Sequence, residues 1–172
     1  LKKYFFSLVL TLASPWTHAS VNLDQLPAAQ AIQIIRGDGS RKLVIFSDPH
    51  CFYCKKLDAE VARLNNVTIH IYPVPLIDPS PTAIALDTQI WCNRNAGQTW
   101  HDFVLGGIQP AAVAPCPTPF SKNLSLLKQV GVNAVPLFIL PNQSVHVGFS
   151  HTAELDALLD QATLESSQRK KP

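Results

Sequence analysis

Two cysteines separated by two residues, Cys51-Phe52-Tyr53-Cys54, stand just after a short β-rich run, Lys42 to Ser47 (KLVIFS), and a turn at Asp48-Pro49. Beyond the pair, Leu57, Val61 and Leu64 recur at helical spacing as far as Asn65-Asn66. The pair therefore falls where a buried strand gives way to the first turn of a helix. Unpaired backbone N–H groups and the helix dipole stabilise negative charge there, so a thiolate is favoured at Cys51. Cys54, one helical turn on, is placed to resolve a mixed disulfide formed at Cys51. Two intervening residues bring both sulfurs within bonding reach and leave the first one the more accessible.

A zinc half-site or an inert bridge would use the same spacing. Zinc needs a second close Cys or His pair, whereas Cys92 and Cys116 stand far from each other and His50, His70, His101, His146 and His151 are scattered. The redox reading is preferred, and no bound metal or cofactor is expected. The four cysteines allow three disulfide connectivities, and spacing alone distinguishes one close pair from two distant residues.

The N-terminal stretch bears on how those cysteines are read. Lys2 and Lys3 precede an apolar run from Tyr4 to Ala13, then Thr17 and Ala19 place small residues before Ser20. This is the pattern of a cleaved export signal over residues 1–19; the apolar run is too short for a spanning helix. Export implies an oxidising compartment, where disulfides persist. Without Lys2 and Lys3 the remaining basic residues balance the 12 acidic ones. That balance gives no case for nucleic acid or an anionic membrane surface as a partner, and no stable membrane insertion is expected.

With 172 residues, 47% of them hydrophobic, the chain can bury one substantial core, expected over residues 20–165 before a polar tail at 166–172. Leu23 to Ile35 is apolar at helical spacing and ends at Gly37-Asp38-Gly39, which predicts a first helix. Val67 to Val74 reads as a strand after the Cys51 helix. Ser80-Pro81 opens a helix through Ala85 and Ile90 to Cys92, with more helix to about Leu105. Gly106 to Pro119, with four prolines, is an irregular connection carrying Cys116. A helix through Leu124 and Leu127 then leads to Gly131. Pro136 to Leu140 and Val145 to Phe149 form an antiparallel hairpin about Pro141-Asn142-Gln143, and Thr152 caps a last helix.

Val135-Pro136 opens one of these strands, a place that invites a cis peptide. With this element the chain resembles the DsbC/DsbG group of bacterial periplasmic disulfide isomerases, in its thioredoxin-like catalytic domain. The matching stretches are Val44 to Leu57 (VIFSDPHCFYCKKL), Ile90 to Asn93 (IWCN), Cys116-Pro117 and Leu127 to Leu140 (LKQVGVNAVPLFIL). They occur in the family's order, within about Leu26 to Leu159.

The resemblance implies an α/β, thioredoxin-like fold with a helical insertion, about 81–131, between its βαβ and ββα halves. It makes Cys51 the nucleophile and Cys54 the resolving thiol, with Pro136 cis and facing them, and Cys92 and Cys116 the family's second, non-catalytic disulfide. It further implies a periplasmic location, exported cysteine-containing proteins as substrates and a membrane thiol reductant of DsbD type. Two departures accompany it. Only Ser20 to His50 precede the reactive pair, so the family's N-terminal dimerisation domain is expected to be missing and the chain monomeric or weakly associating. Val135 stands where the isomerases tend to carry Thr, and it offers the sulfurs no hydroxyl.

The leading expectation is therefore a disulfide isomerase or reductase, with a disulfide-donating oxidase as alternative and a non-enzymatic chaperone or binding module from another class. Around the pair, His50 either stabilises a thiolate or is an inconsequential turn residue. Phe52 and Tyr53 offer apolar contact to unfolded substrate, and Asp48 shapes the turn. Trp91, Trp100 and Phe103 read as core.

Overall fold

The computed structural model describes residues 23–169, so the expected export signal lies outside the described residues. Its α-helices and strands follow in the order β1 (Ile32–Arg36), β2 (Arg41–Ser47), α1 (Phe52–Val61), β3 (Val67–Pro73), α2 (Pro81–Cys92), α3 (Ala96–Gly106), α4 (Phe120–Gln129), β4 (Leu137–Ile139), β5 (Val145–Val147) and α5 (Thr152–Arg169). The strands make one sheet in the order β1-β3-β2-β4-β5. β2 and β3 are parallel and joined through α1; the other neighbours are antiparallel. Helices α2 to α4 occupy the chain between this β2-α1-β3 unit and the β4-β5-α5 half.

β2 lies at the centre, and both of its faces are covered. Leu43 and Ile45 join a core with Leu57, Val61, Trp100 and Leu159, whereas Val44 and Phe46 join a second core with Tyr72, Leu127 and Ile139. Successive residues of a doubly covered strand must all be apolar, which is why KLVIF reads as a run without alternation. Tyr72 and Phe46 stack in the second core with ring centroids 5.1 Å apart.

The first expected helix is instead two 3-10 turns, Leu23–Gln25 and Ala28–Gln30, followed by β1. Pro27 divides the segment, and the β-branched Ile32, Ile34 and Ile35 favour an extended backbone once β3 supplies a partner. As an edge strand β1 alternates, with Ile32 buried and Ile35 exposed. Counting across the turns and the strand together imitated helical spacing. The helix expected to continue from Cys92 also divides: Asn95 caps a separate α3, its Oδ1 accepting from the Gln98 N–H. Gly97 lets that helix approach β1, since a Cβ there would stand 3.2 Å from the Gln33 carbonyl oxygen. α5 continues through Ser166 to Arg169, where a polar tail was expected, and Arg169 Nη2 donates to the Asn142 carbonyl at 2.7 Å.

Candidate active site

The site lies where β2 ends and α1 begins. Asp48, buried at this junction, ties the loop together with its carboxylate: Oδ1 accepts from the His50 N–H at 2.8 Å, and Oδ2 from the N–H groups of Leu76 and Ile77 at 2.9 and 2.7 Å. A buried carboxylate is tolerated when such donors satisfy it. The loop before Cys51 is thereby fastened to the chain that follows β3.

Cys51 is the N-cap residue of α1, with extended backbone, and its Sγ accepts from the Cys54 N–H at 3.4 Å. A sulfur thus takes the place usually filled by a Ser or Asp oxygen, facing the unpaired donors of the first turn. On its other side Cys51 Sγ lies 3.8 Å from the Val135 carbonyl oxygen, and the Val135-Pro136 peptide is cis. The structure therefore brings Cys51, Cys54, Val135 and Pro136 to one place from segments more than eighty residues apart.

The two thiols, both free, differ in surroundings. Cys51 is 6% exposed and Cys54 is 0%. Burial drives the Cys54 thiol far above its ordinary range, and the Asp48 N–H, 3.5 Å from Cys54 Sγ, opposes this only partly. Next to Cys51 the surface is apolar: Phe52 and Tyr53 are 63% and 58% exposed, their rings edge to face at 5.4 Å. Lys56 Nζ lies 4.8 Å from the Phe52 ring centroid, close enough for a cation–π contact.

Residues 28–163 match the thioredoxin-like domain. The chain belongs to that family. This thioredoxin-like chain is 32% identical over 141 residues to the probable thiol:disulfide interchange protein DsbC of Bordetella parapertussis, covering 82% of this chain and 50% of that protein. It is 27% identical over 143 residues to the thiol:disulfide interchange protein DsbC of Escherichia coli, covering 81% of this chain and 60% of that one. It therefore spans about half the length of the Bordetella relative. Among solved structures, a disulfide interchange protein from Neisseria gonorrhoeae superposes with a TM-score of 0.74 at 28% identity, covering 80% of this chain and 99% of that one. A periplasmic thioredoxin-like protein from Salmonella enterica, at 19% identity and a TM-score of 0.62 over 81% of this chain and 93% of that one, shares the fold.

Cys92, at the end of α2, and Cys116 are joined by a disulfide with a Cα–Cα distance of 5.7 Å. Trp91 Nε1 donates to the Pro117 carbonyl at 3.1 Å, a second tie between α2 and the irregular stretch. Trp100 and Phe103 are buried in the thioredoxin-like core as expected; Trp91 is only partly so.

Three polar residues beside the site were missed in the sequence. His50 Nε2 meets the buried Asp87 of α2. Asp58 of α1 is buried one helical turn beyond Cys54, where Trp100 Nε1 donates to its Oδ1 at 3.4 Å, and burial pushes its carboxyl up to about 7. Ser47, the last residue of β2, is buried next to Cys54. A signal did exist: Asp58 follows Cys54 by four residues and precedes Val61 by three, and Asp87 stands likewise between Ala83 and Ile90. An acid on the apolar face of a helix must find a buried partner.

Proposed function

We propose that the chain exchanges disulfides with cysteines of exported proteins in the periplasm, acting as an isomerase or reductase, with Cys51 as nucleophile and Cys54 as resolving thiol. The observation that carries this reading is the placement of Cys51 Sγ at the N-cap of α1, 3.8 Å from the Val135 carbonyl and one turn above a buried partner thiol. A substrate disulfide approaching over Phe52 and Tyr53 is attacked at one sulfur by Cys51, and its other sulfur leaves as thiolate. Cys54 then attacks Cys51 Sγ and releases the first. Two electrons pass from the pair to the substrate, so the only redox group needed is the Cys51–Cys54 disulfide itself, restored to dithiol by a membrane thiol donor. The relatives named as thiol:disulfide interchange proteins support this reading.

The native chain, reduced, is tested against oxidised glutathione and against a protein with scrambled disulfides. Cys51→Ser abolishes exchange, and Cys54→Ser forms a mixed disulfide that persists on Cys51. With limiting iodoacetamide at neutral pH, Cys51 is alkylated before Cys54. Exchange surviving in Cys51→Ser, or equal labelling of both thiols, defeats the assignment.

A second reading, in which the chain donates its disulfide, is favoured by Val135, which places no hydroxyl beside the sulfurs. The reduction potential separates the two. A strongly oxidising value, with the pair oxidised in cells, supports the donor and sinks the reductase.

A further inference from the structure

Helices α2 and α3 of the insertion reach the reactive segment on both sides of the cysteine pair. His50, which immediately precedes Cys51, is bonded through Nε2 to Asp87 Oδ1 of α2 at 2.9 Å and lies edge to face on the Phe103 ring of α3, with centroids 5.5 Å apart. Lys55, which immediately follows Cys54, holds its Nζ 5.7 Å from the centroid of the same Phe103 ring. The two residues that flank the pair therefore converge on one aromatic side chain of the insertion.

The anchors are fixed more firmly than the thiol they flank. The Asp87 side chain is only 2% exposed, and Ala83 and Ile90 are buried with it on α2. Phe103 lies in the core with Leu57 and Trp100. An ionised carboxylate only accepts, so its bond to His50 fixes the tautomer with hydrogen on Nε2 and, with it, the direction of the ring. Cys51 Sγ, by contrast, has the Cys54 N–H at 3.4 Å and the Val135 carbonyl oxygen at 3.8 Å. Sulfur is a weak partner in both contacts, and neither holds a side chain in one orientation unaided.

We infer that Asp87 and Phe103 are positioning residues for exchange: by holding His50 and Lys55 they keep Cys51 Sγ in the orientation from which it attacks a substrate disulfide. This inference rests on the exchange reading above. In the attack a bond forms between Cys51 Sγ and one substrate sulfur while the substrate S–S bond breaks, and the incoming sulfur must line up with the bond that breaks. A reactive segment free to shift by about an ångström loses that alignment. The insertion thus acts on the rate of attack, through contacts that leave the apolar surface of Phe52 and Tyr53 untouched.

The test measures attack alone. In the reduced Cys54→Ser chain the mixed disulfide persists on Cys51, so its formation with bis(hydroxyethyl) disulfide, a small uncharged substrate, is read by acid quench and mass spectrometry at pH 7. Asp87→Leu fills the buried place without accepting a hydrogen bond, and His50→Ala removes the donor; each added to that chain slows attack about tenfold. Together they slow it no further than either alone, because both cut the same bond. Phe103→Leu, which keeps the core filled, slows attack about fivefold. His50→Gln, whose amide still donates to Asp87, stays within about twofold of the parent, a rescue that loss of stability alone does not produce. Near-UV circular dichroism establishes that each chain is folded, and if Asp87→Leu is not, the contrast between His50→Ala and His50→Gln decides. Attack within about twofold of the parent in folded Asp87→Leu or Phe103→Leu, or a His50→Gln chain as slow as His50→Ala, overturns the positioning role and leaves the exchange reading standing. Absence of any mixed disulfide on Cys51 in the parent chain overturns the exchange reading itself.

Discussion

His50 Nε2 lies 2.9 Å from Asp87 Oδ1, bonding the residue beside Cys51 to the first helix of the insertion between β3 and β4. His50 is also packed edge to face on Phe103 of α3, with centroids 5.5 Å apart. The conformation of the reactive loop is therefore held from three directions: through Asp48 to the chain after β3, through Asp87 to α2 and through Phe103 to α3.

Burial raises the Asp87 carboxyl above its ordinary range, and the charge and hydrogen bond of His50 oppose that rise. Removing His50 leaves a buried carboxylate without its partner wherever Asp87 is ionised. His50→Ala is thus expected to cost about 1–3 kcal/mol at pH 7.5. At pH 4.5, where the carboxyl carries its proton, the loss is distinctly smaller. Asp87→Asn removes the charge and keeps the shape, and is expected to cost less than His50→Ala at pH 7.5. Urea unfolding at the two pH values measures all of this, and a His50→Ala loss independent of pH contradicts the pairing.

The Cys92–Cys116 disulfide closes a loop over the proline-rich stretch, with a sequence separation of 24. On the chain-entropy model such a loop contributes about 3 kcal/mol by restricting the unfolded chain. Replacing both cysteines with Ala is expected to lower the unfolding free energy by that amount, and replacing either one alone costs nearly as much, because the constraint disappears with the first. Neither change touches Cys51, so alkylation of Cys51 at pH 7 should proceed at close to the native rate. Urea titration of the three variants checks the first part and timed alkylation the second.

The β2-α1-β3 unit was legible in the sequence because its signals are local: a doubly buried strand is apolar at every position, and the helix after Cys51 shows its own period. β1 was not legible, because an edge strand owes its state to pairing with β3 at residues such as Ile34 and Ile69, 35 positions apart. Cys51 and Cys54 were found through spacing, whereas Pro136 needed the family resemblance to bring it to them. Asp58 and Asp87 went unread for the same reason as β1. What makes each carboxyl distinctive is a partner far away in sequence, Trp100 for one and His50 for the other.

Asp58 makes a final prediction, which concerns stability. Its carboxyl sits near 7 in the folded chain against an ordinary 3.8, so the folded state holds the proton more tightly than the unfolded one. The stabilisation linked to that proton is complete below about pH 4 and is lost as pH rises through 7. The difference in proton affinity corresponds to at most about 4 kcal/mol across that window, less whatever the protein recovers by relaxing around the charge. Asp58→Asn has no proton to lose. Its unfolding free energy should therefore decline less between pH 5 and 8 than that of the native chain, and at pH 8 the variant should be the more stable of the two. Urea unfolding across this range gives the slope directly, and parallel slopes would show that Asp58 is already ionised at pH 5.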